Sequence, residues 1–324
     1  MQSLTGKKIA QGSREKKTMS LRDHSPFFKF STSILKIILI WIACFFVSCT
    51  GLPTANTTQN VPKTAAWQNI IDGVDYTALK IKKPRLKIYA IRINLQNPNI
   101  EIAAPVVEFD SDNISNVQQK QNFITATKVS TFAKKNNCIA AINAGPFAKV
   151  HSSNFIREGM PLKHVGVLFS DRLIADKNHF DAIIFYKNGT AKIAAQDEIT
   201  DFKELDYAIG GFYMLLKNGR FFRQPAADTK RHPRSIAGLS DNGNVLYLLA
   251  IDGRQLGSVG AALEDAAVVA AGLGADFAIN LDGGGSSALA VRKDGKLRIV
   301  NTPVNYMIAG KERAVASCIG IRQK

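Results

Sequence analysis

The sequence predicts an α+β domain with a mixed, strand-rich sheet and few helices. Three observations predict it. Eleven short runs between residues 86 and 321 are apolar throughout or alternate apolar with polar residues, the patterns of doubly covered and half-buried strands. Asn188-Gly189, Asn218-Gly219 and Asp294-Gly295 sit between such runs as hairpin turns. Only two stretches, 122–136 and 260–273, carry apolar residues at helical spacing.

Taken in order, the chain opens with a leader. Residues 1–36 hold eight Lys or Arg against Glu15 and Asp23, and an apolar run of 11 residues, Ile37–Val47, follows. That run is signal-peptide length, too short to span a bilayer by itself. It ends in Phe46-Val47-Ser48-Cys49, which looks like a bacterial lipoprotein signal with Cys49 as the lipidated residue. Met1 or Met19 starts it, and an ordinary cleaved signal or a simple anchor is the alternative. The expected organisation is a leader over 1–49, a Pro- and Thr-containing tether over 50–66 and one domain over 67–324, exported to the cell envelope and membrane-held by its lipid. The net charge of +16 leaves +10 beyond residue 36. It suits anionic partners, or reflects ordinary solvated lysines. Nucleic acid is not expected, because no basic stripe is interleaved with aromatics.

Within the domain, LKIYAIRINL (86–95) alternates like a half-buried strand, while IEIAAPVV (100–107), CIAAIN (138–143), VGVLFS (165–170), DAIIFY (181–186) and AKIAA (191–195) are further strands. SIAGLS (235–240), NVLYLLAID (244–252), DFAINLD (276–282), SALAV (287–291) and ASCIGI (316–321) complete the set. The order strand, helix, strand over 244–282 reads as a crossover that pairs its two strands in parallel. Cys138 and Cys318, the cysteines outside the leader, lie in strand-like segments. They are free and buried, or bridged, as export permits.

The stretch AINLDGGGSSALAV (278–291) is the chemical focus. Asp282 ends a buried strand, where ligand sites gather. Gly283, Gly284 and Gly285 permit close backbone approach by a ligand, and Ser286 adds a donor. No Lys follows in P-loop spacing, and the strand after Ser286 lacks the helix that a nucleophile elbow requires. Other polar residues end apolar runs in the same way: Asn143, Asp252 with Arg254, Asn280, Arg234 ahead of its strand, and later Glu312-Arg313. Two carboxylates with several guanidiniums suggest hydrolysis of a phosphate-bearing substrate. No Cys/His cluster has zinc spacing. Asp252, Asp282 and Asn280 offer hard oxygen ligands, so a divalent metal is an alternative to the metal- and cofactor-free site expected, although no calcium-loop spacing supports it.

The same segments resemble the phosphodiester glycosidase family, or NAGPA domain. NLDGGGSSALAV resembles its Asn-Leu-Asp-Gly-Gly-Gly-Ser signature, and AIDGR (250–254) with the helix after it is similar to its Asp-Gly-Arg segment. HPRSIAGLSDNG (232–243), IGGFYMLLKNGR (209–220) and AINAGPF (141–147) match further segments in order, and Asn301-Thr302-Pro303 with Glu312-Arg313 fit its C-terminal end. Ala144 and Pro146 depart from its Asn-Gly-Gly-Phe-Phe pattern, and 67–137 lies largely outside the motifs. The resemblance implies an NAGPA-like fold and cleavage of the bond between sugar C1 and a phosphodiester oxygen. It implies Asp282 and Asp252 as catalytic carboxylates and Arg234, Arg254 and Arg313 as phosphate grips. It implies Asn143, Gly145, Gly211, Asn280, Gly283, Gly284, Gly285, Ser286 and Glu312 as further substrate or phosphate contacts, with Glu312 alternatively structural. The expected substrate is a sugar phosphate, N-acetylglucosamine-1-phosphodiester-like, or an envelope glycan. The alternative is a non-catalytic carbohydrate- or cell-wall-binding lipoprotein on the same fold. Oligomeric state is not legible.

Overall fold

Strand Val245–Ile251 shows how the sheets are built. Leu246, Leu248 and Ala250 enter one core, while Tyr247, Leu249 and Ile251 enter another on the opposite face. A run apolar at every position is stable as a strand only when both faces are covered. The computed structural model describes residues 65–103, 105, 123–150, 155–222 and 229–324, all within the unit Ala55–Lys324. The leader, Cys49 and nearly all of the 50–66 tether lie outside the described residues.

Val245–Ile251 is central to an eight-stranded sheet. Its order is Gln68–Ile71, Val74–Ile81, Leu86–Asn94, Val245–Ile251, Arg234–Ser240, Phe277–Asn280, Met214–Lys217, Arg220–Phe221. One face packs on helix α2, Leu263–Gly272, through Ala266, Ala267, Val269 and Ala270. The small side chains let the helix lie close to the sheet. The other face forms the largest core, against Ile183, Ile193 and Ile209 of one five-stranded sheet and Ile142, Leu289 and Ile319 of another. Helix α1, Val129–Lys135, covers the outer face of the latter with Phe132 and Ala133 beside Cys138 and Cys318. Both cysteines are free and buried. Burial raises the Cys138 thiol to about 11. The turns at Asn188-Gly189, Asn218-Gly219 and Asp294-Gly295 join antiparallel neighbours.

Two expectations about elements are corrected. The strands at 244–252 and 276–282 are not paired with each other. Arg234–Ser240 lies between them, antiparallel to both. A tight connection over 241–244 makes Arg234–Ser240 the immediate hairpin partner of Val245–Ile251, which leaves only its far edge for Phe277–Asn280. The crossover does return parallel, but two places away, and every pairing among the described strands is antiparallel. The 122–136 helix begins only at Val129, because Phe123–Thr125 pairs with Pro161–His164. The β-branched pair Ile124-Thr125 suits that use.

Candidate active site

Several strand ends meet at one edge. Phe277–Asn280 leads into Asp282, Val245–Ile251 leads into Asp252, and Arg234 begins the strand between them. Arg234 is opposite Ile251, and Ile236 is opposite Asn280. The strands leading to the two aspartates therefore flank the one that Arg234 begins, two strand spacings or about 10 Å apart across the sheet. The second sheet is stitched to this edge. The Asp282 N–H donates to the Ala144 carbonyl at 2.8 Å, and Asn143 Nδ2 donates to the Asp282 carbonyl at 2.5 Å.

The three glycines have distinct neighbours. A Cβ on Gly283 would lie 2.8 Å from the Pro233 carbonyl oxygen, on Gly284 3.1 Å from Arg254 Nη2, and on Gly285 2.6 Å from Arg313 Nη2. Gly284 also has φ +62°, where a side chain is strained. Sequence alone assigns these glycines to close approach by a substrate. The groups observed to approach are the protein's own backbone and two guanidiniums. Arg313 is aimed by Nε donating to Asn305 Oδ1 at 3.2 Å, with Nη1 at 3.5 Å from Ser286 Oγ. Exposed Arg254 reaches His232 Nδ1 at 3.5 Å.

Asp282 keeps partial solvent access, yet burial raises its carboxyl to about 6. The Ser286 hydroxyl, the Arg313 charge and the Gly283 N–H act in the opposite direction without cancelling it. Asp282, Arg254, Arg313 and Ser286 thus converge on one loop: a carboxyl under the Arg313 charge, with Arg254 two residues along against Gly284.

Other expected contacts serve the scaffold. Asn143 is completely buried. Besides its bond to Asp282, its Oδ1 accepts from Ser235 Oγ at 2.7 Å and Ala288 N at 3.1 Å, leaving its oxygen saturated. Arg234 is buried, with Nε on the Ala261 carbonyl at 3.0 Å and Nη2 on the Lys230 carbonyl at 3.1 Å. Glu312 caps helix α1: Oε2 accepts the Ser130 N–H at 3.1 Å and Oε1 accepts the Ser130 hydroxyl at 2.5 Å. Both of its oxygens are engaged on Ser130, which fits the structural alternative. Gly145 and Gly211 allow protein to pack on protein. A Cβ would run into His164 Nε2 in the first case and lie 2.8 Å from Ile279 Cδ1 in the second.

Asp252 is fully buried rather than open to substrate. Its Oδ1 accepts the Thr302 N–H at 2.8 Å and Asn301 Nδ2 at 3.3 Å. Its carboxyl is raised above the ordinary value by burial, which those bonds partly oppose. Asp252 therefore anchors the segment that leads to Asn305 and Arg313. Asp252 Oδ2, Asn280 Oδ1, Ser287 Oγ and His164 Nε2 are buried polar atoms without a partner among the described residues. His164 escapes the sequence reading, being a lone histidine in a short strand. Only the pairing of Phe147 with His164 brings it to Gly145. Its Nδ1 meets the Gly166 carbonyl at 3.0 Å, and burial lowers its pKa to about 4, keeping it neutral. Among the described residues, no three His, Cys, Asp or Glu side chains cluster as metal ligands. A hollow of about 600 Å³ lies by Asp276 and Phe277, at the opposite end of the strand that leads to Asp282.

A carboxylate and paired guanidiniums on a glycine loop, carried by a strand-rich α+β domain, form an arrangement suited to an anionic substrate. The chain belongs to the phosphodiester glycosidase family, whose sequence profile matches residues 136–322. It is 30% identical over 201 residues to the SPbeta prophage-derived uncharacterized protein YomE of Bacillus subtilis (strain 168). That alignment covers 60% of this chain and 29% of the relative, so the chain spans under a third of that protein's length. Among solved structures, the zebrafish N-acetylglucosamine-1-phosphodiester alpha-N-acetylglucosaminidase catalytic domain, auto-inhibited by its pro-peptide, shares the fold. Its TM-score is 0.56 at 18% identity, covering 81% of this chain and 87% of that one. A hypothetical protein from Synechocystis matches with TM-score 0.56 at 15% identity, covering 81% and 64%.

Proposed function

We propose that this chain hydrolyses the bond between sugar C1 and the phosphate oxygen of a sugar 1-phosphodiester, with Asp282 as its essential carboxylate. The observation that carries this reading is the geometry of the glycine loop, where Asp282 is followed by Gly284 under Arg254 and Gly285 under Arg313, with burial raising the Asp282 carboxyl to about 6. At pH 7 that carboxyl is mostly ionised. It stabilises positive charge growing at C1 and either attacks C1 or takes a proton from the attacking water. The C1–O bond breaks with its electrons going to the phosphate monoester. That leaving group is a weak base, so it departs without a strong general acid. Water oxygen ends on C1. Arg254 and Arg313 grip the phosphate, which guanidinium matches with two parallel hydrogen bonds. Asp252 acts through the Asn301–Thr302 segment as a positioning residue.

The chemistry uses carboxylate and guanidinium groups alone. The substrate is an N-acetylglucosamine-1-phosphodiester-like sugar phosphate or envelope glycan. The leader exports the chain, and Cys49 carries the lipid that anchors it in the cell envelope. The domain begins near residue 67, after the tether.

The test is release of reducing sugar from a panel of sugar 1-phosphodiesters by the parent and by Asp282→Asn. The parent turns over, with kcat/KM rising as pH passes about 6, and the folded variant does not. Binding without turnover by the parent would instead support a carbohydrate-binding lipoprotein.

A further inference from the structure

We propose that the hairpin 303–310, with Leu256 beside it, docks the domain onto a bilayer surface containing anionic lipid. Val304–Asn305 pairs with Ile308–Ala309, and the turn between them is Tyr306-Met307, at φ +50° and +62°. Two residues at positive φ make the turn type that ordinarily takes Asn-Gly. Bulky side chains persist there only when neighbours hold them. Tyr306 is held: its hydroxyl accepts the Ile156 N–H at 2.9 Å, and its ring meets Phe155 edge-on at 4.9 Å. Met307 is not packed away. It is 83% exposed, Ile308 and Phe155 are each 52% exposed, and Leu256 is 90% exposed.

These are four of the six large exposed hydrophobic side chains among the described residues, and they are joined at one root. Gln255 Nε2 donates to the Thr302 carbonyl at 2.8 Å, and the Gly310 N–H closes the hairpin on the Pro303 carbonyl at 2.8 Å. Side chains exposed this far are knobs rather than the lining of a groove. A knob needs a soft apolar phase or a matching pocket. Charge favours the former. Lys311 Nζ stands 5.7 Å from the Tyr306 ring, and Lys311, Arg157 and Lys128 line the hollow beneath the tip against two carboxylates, Glu158, paired to Lys128, and Glu312, which faces Ser130. Apolar tips with Lys311, Arg157 and a tyrosine at their base match an interface of acyl chains below anionic headgroups. Asn305, at the hairpin base, aims Arg313 at the glycine loop, so docking brings the candidate site close to the membrane. The inference concerns binding and is independent of the reaction proposed above.

Full-length protein carrying Met307→Trp, and separately Leu173→Trp on an exposed position of a five-stranded sheet, is mixed with vesicles containing bromine-labelled lipid. Difference emission against the parent reads each position, whatever the N-terminal segment does. The tryptophan at the hairpin shifts to the blue and is quenched several-fold more than the one at 173. Quenching increases when phosphatidylglycerol replaces phosphatidylcholine and weakens in high salt. Adding Leu256→Asp and Ile308→Asp lowers it about tenfold or more. A hairpin tryptophan left unquenched while the protein pellets with vesicles overturns the proposal, as does equal quenching at both positions. A shift that needs only higher protein concentration, without lipid, assigns the tip to a second copy instead. Both substituted sites are solvent-exposed, and an unchanged melting curve verifies that the variants are folded.

Discussion

Asp282→Asn separates stability from catalysis. Burial moves this carboxyl from its ordinary 3.8 to about 6, so the folded protein holds the proton more tightly than the unfolded chain does. The favourable contribution is fully present below pH 3.8. As pH rises, the unfolded chain ionises first, and stability is lost until the folded carboxyl ionises near pH 6. The total loss is at most about 3 kcal/mol, with partial solvent access making this an upper bound. Asparagine does not titrate. Relative to the parent, the variant therefore gains up to about 3 kcal/mol between pH 4 and pH 7, or about 6–12 °C in Tm for a domain of this size, while losing turnover. Urea unfolding of both proteins at several pH values between 4 and 7 measures the difference directly. A stability difference flat across that range would refute the burial argument. A difference moving in the parent's favour as pH rises would show that Arg254 and Arg313 dominate the carboxyl's environment.

Gly285→Ala places a Cβ 2.6 Å from Arg313 Nη2, so the guanidinium must move. Displacement by about 1 Å lowers kcat/KM by about a hundredfold, and steady-state kinetics on the responsive substrate measures it. Glu312→Ala uncaps helix α1 and costs about 0.5–2 kcal/mol in urea unfolding. KM stays unchanged, because Glu312 faces Ser130; a large rise in KM would return Glu312 to the substrate side.

Much of the fold is legible in the sequence because it is local. Runs such as DAIIFY and NVLYLLAI declare themselves as strands by having no polar face to offer, and Asn-Gly and Asp-Gly pairs announce reversals of direction. The position of Asp282 at the end of a buried strand, followed by three glycines, is legible for the same reason. The roles of polar residues are less so, because turn, cap and ligand chemistry use the same side chains. Asn143 and Glu312 look like substrate contacts until their partners, Ser235 and Ser130, are brought to them from distant segments. Asp252 looks like the twin of Asp282 until burial and the Thr302 N–H distinguish them.

By itself the sequence determined the strand-rich composition, the family to which the chain belongs and the loop where a carboxylate meets glycines. The tertiary structure alone decided that Arg234–Ser240 lies between its two neighbours, that Arg254 and Arg313 rest on Gly284 and Gly285, and that His164 abuts Gly145. Strand propensity and turn geometry are set by neighbouring residues. Pairing order and side-chain convergence depend on long-range packing among competing partners, which no local pattern encodes.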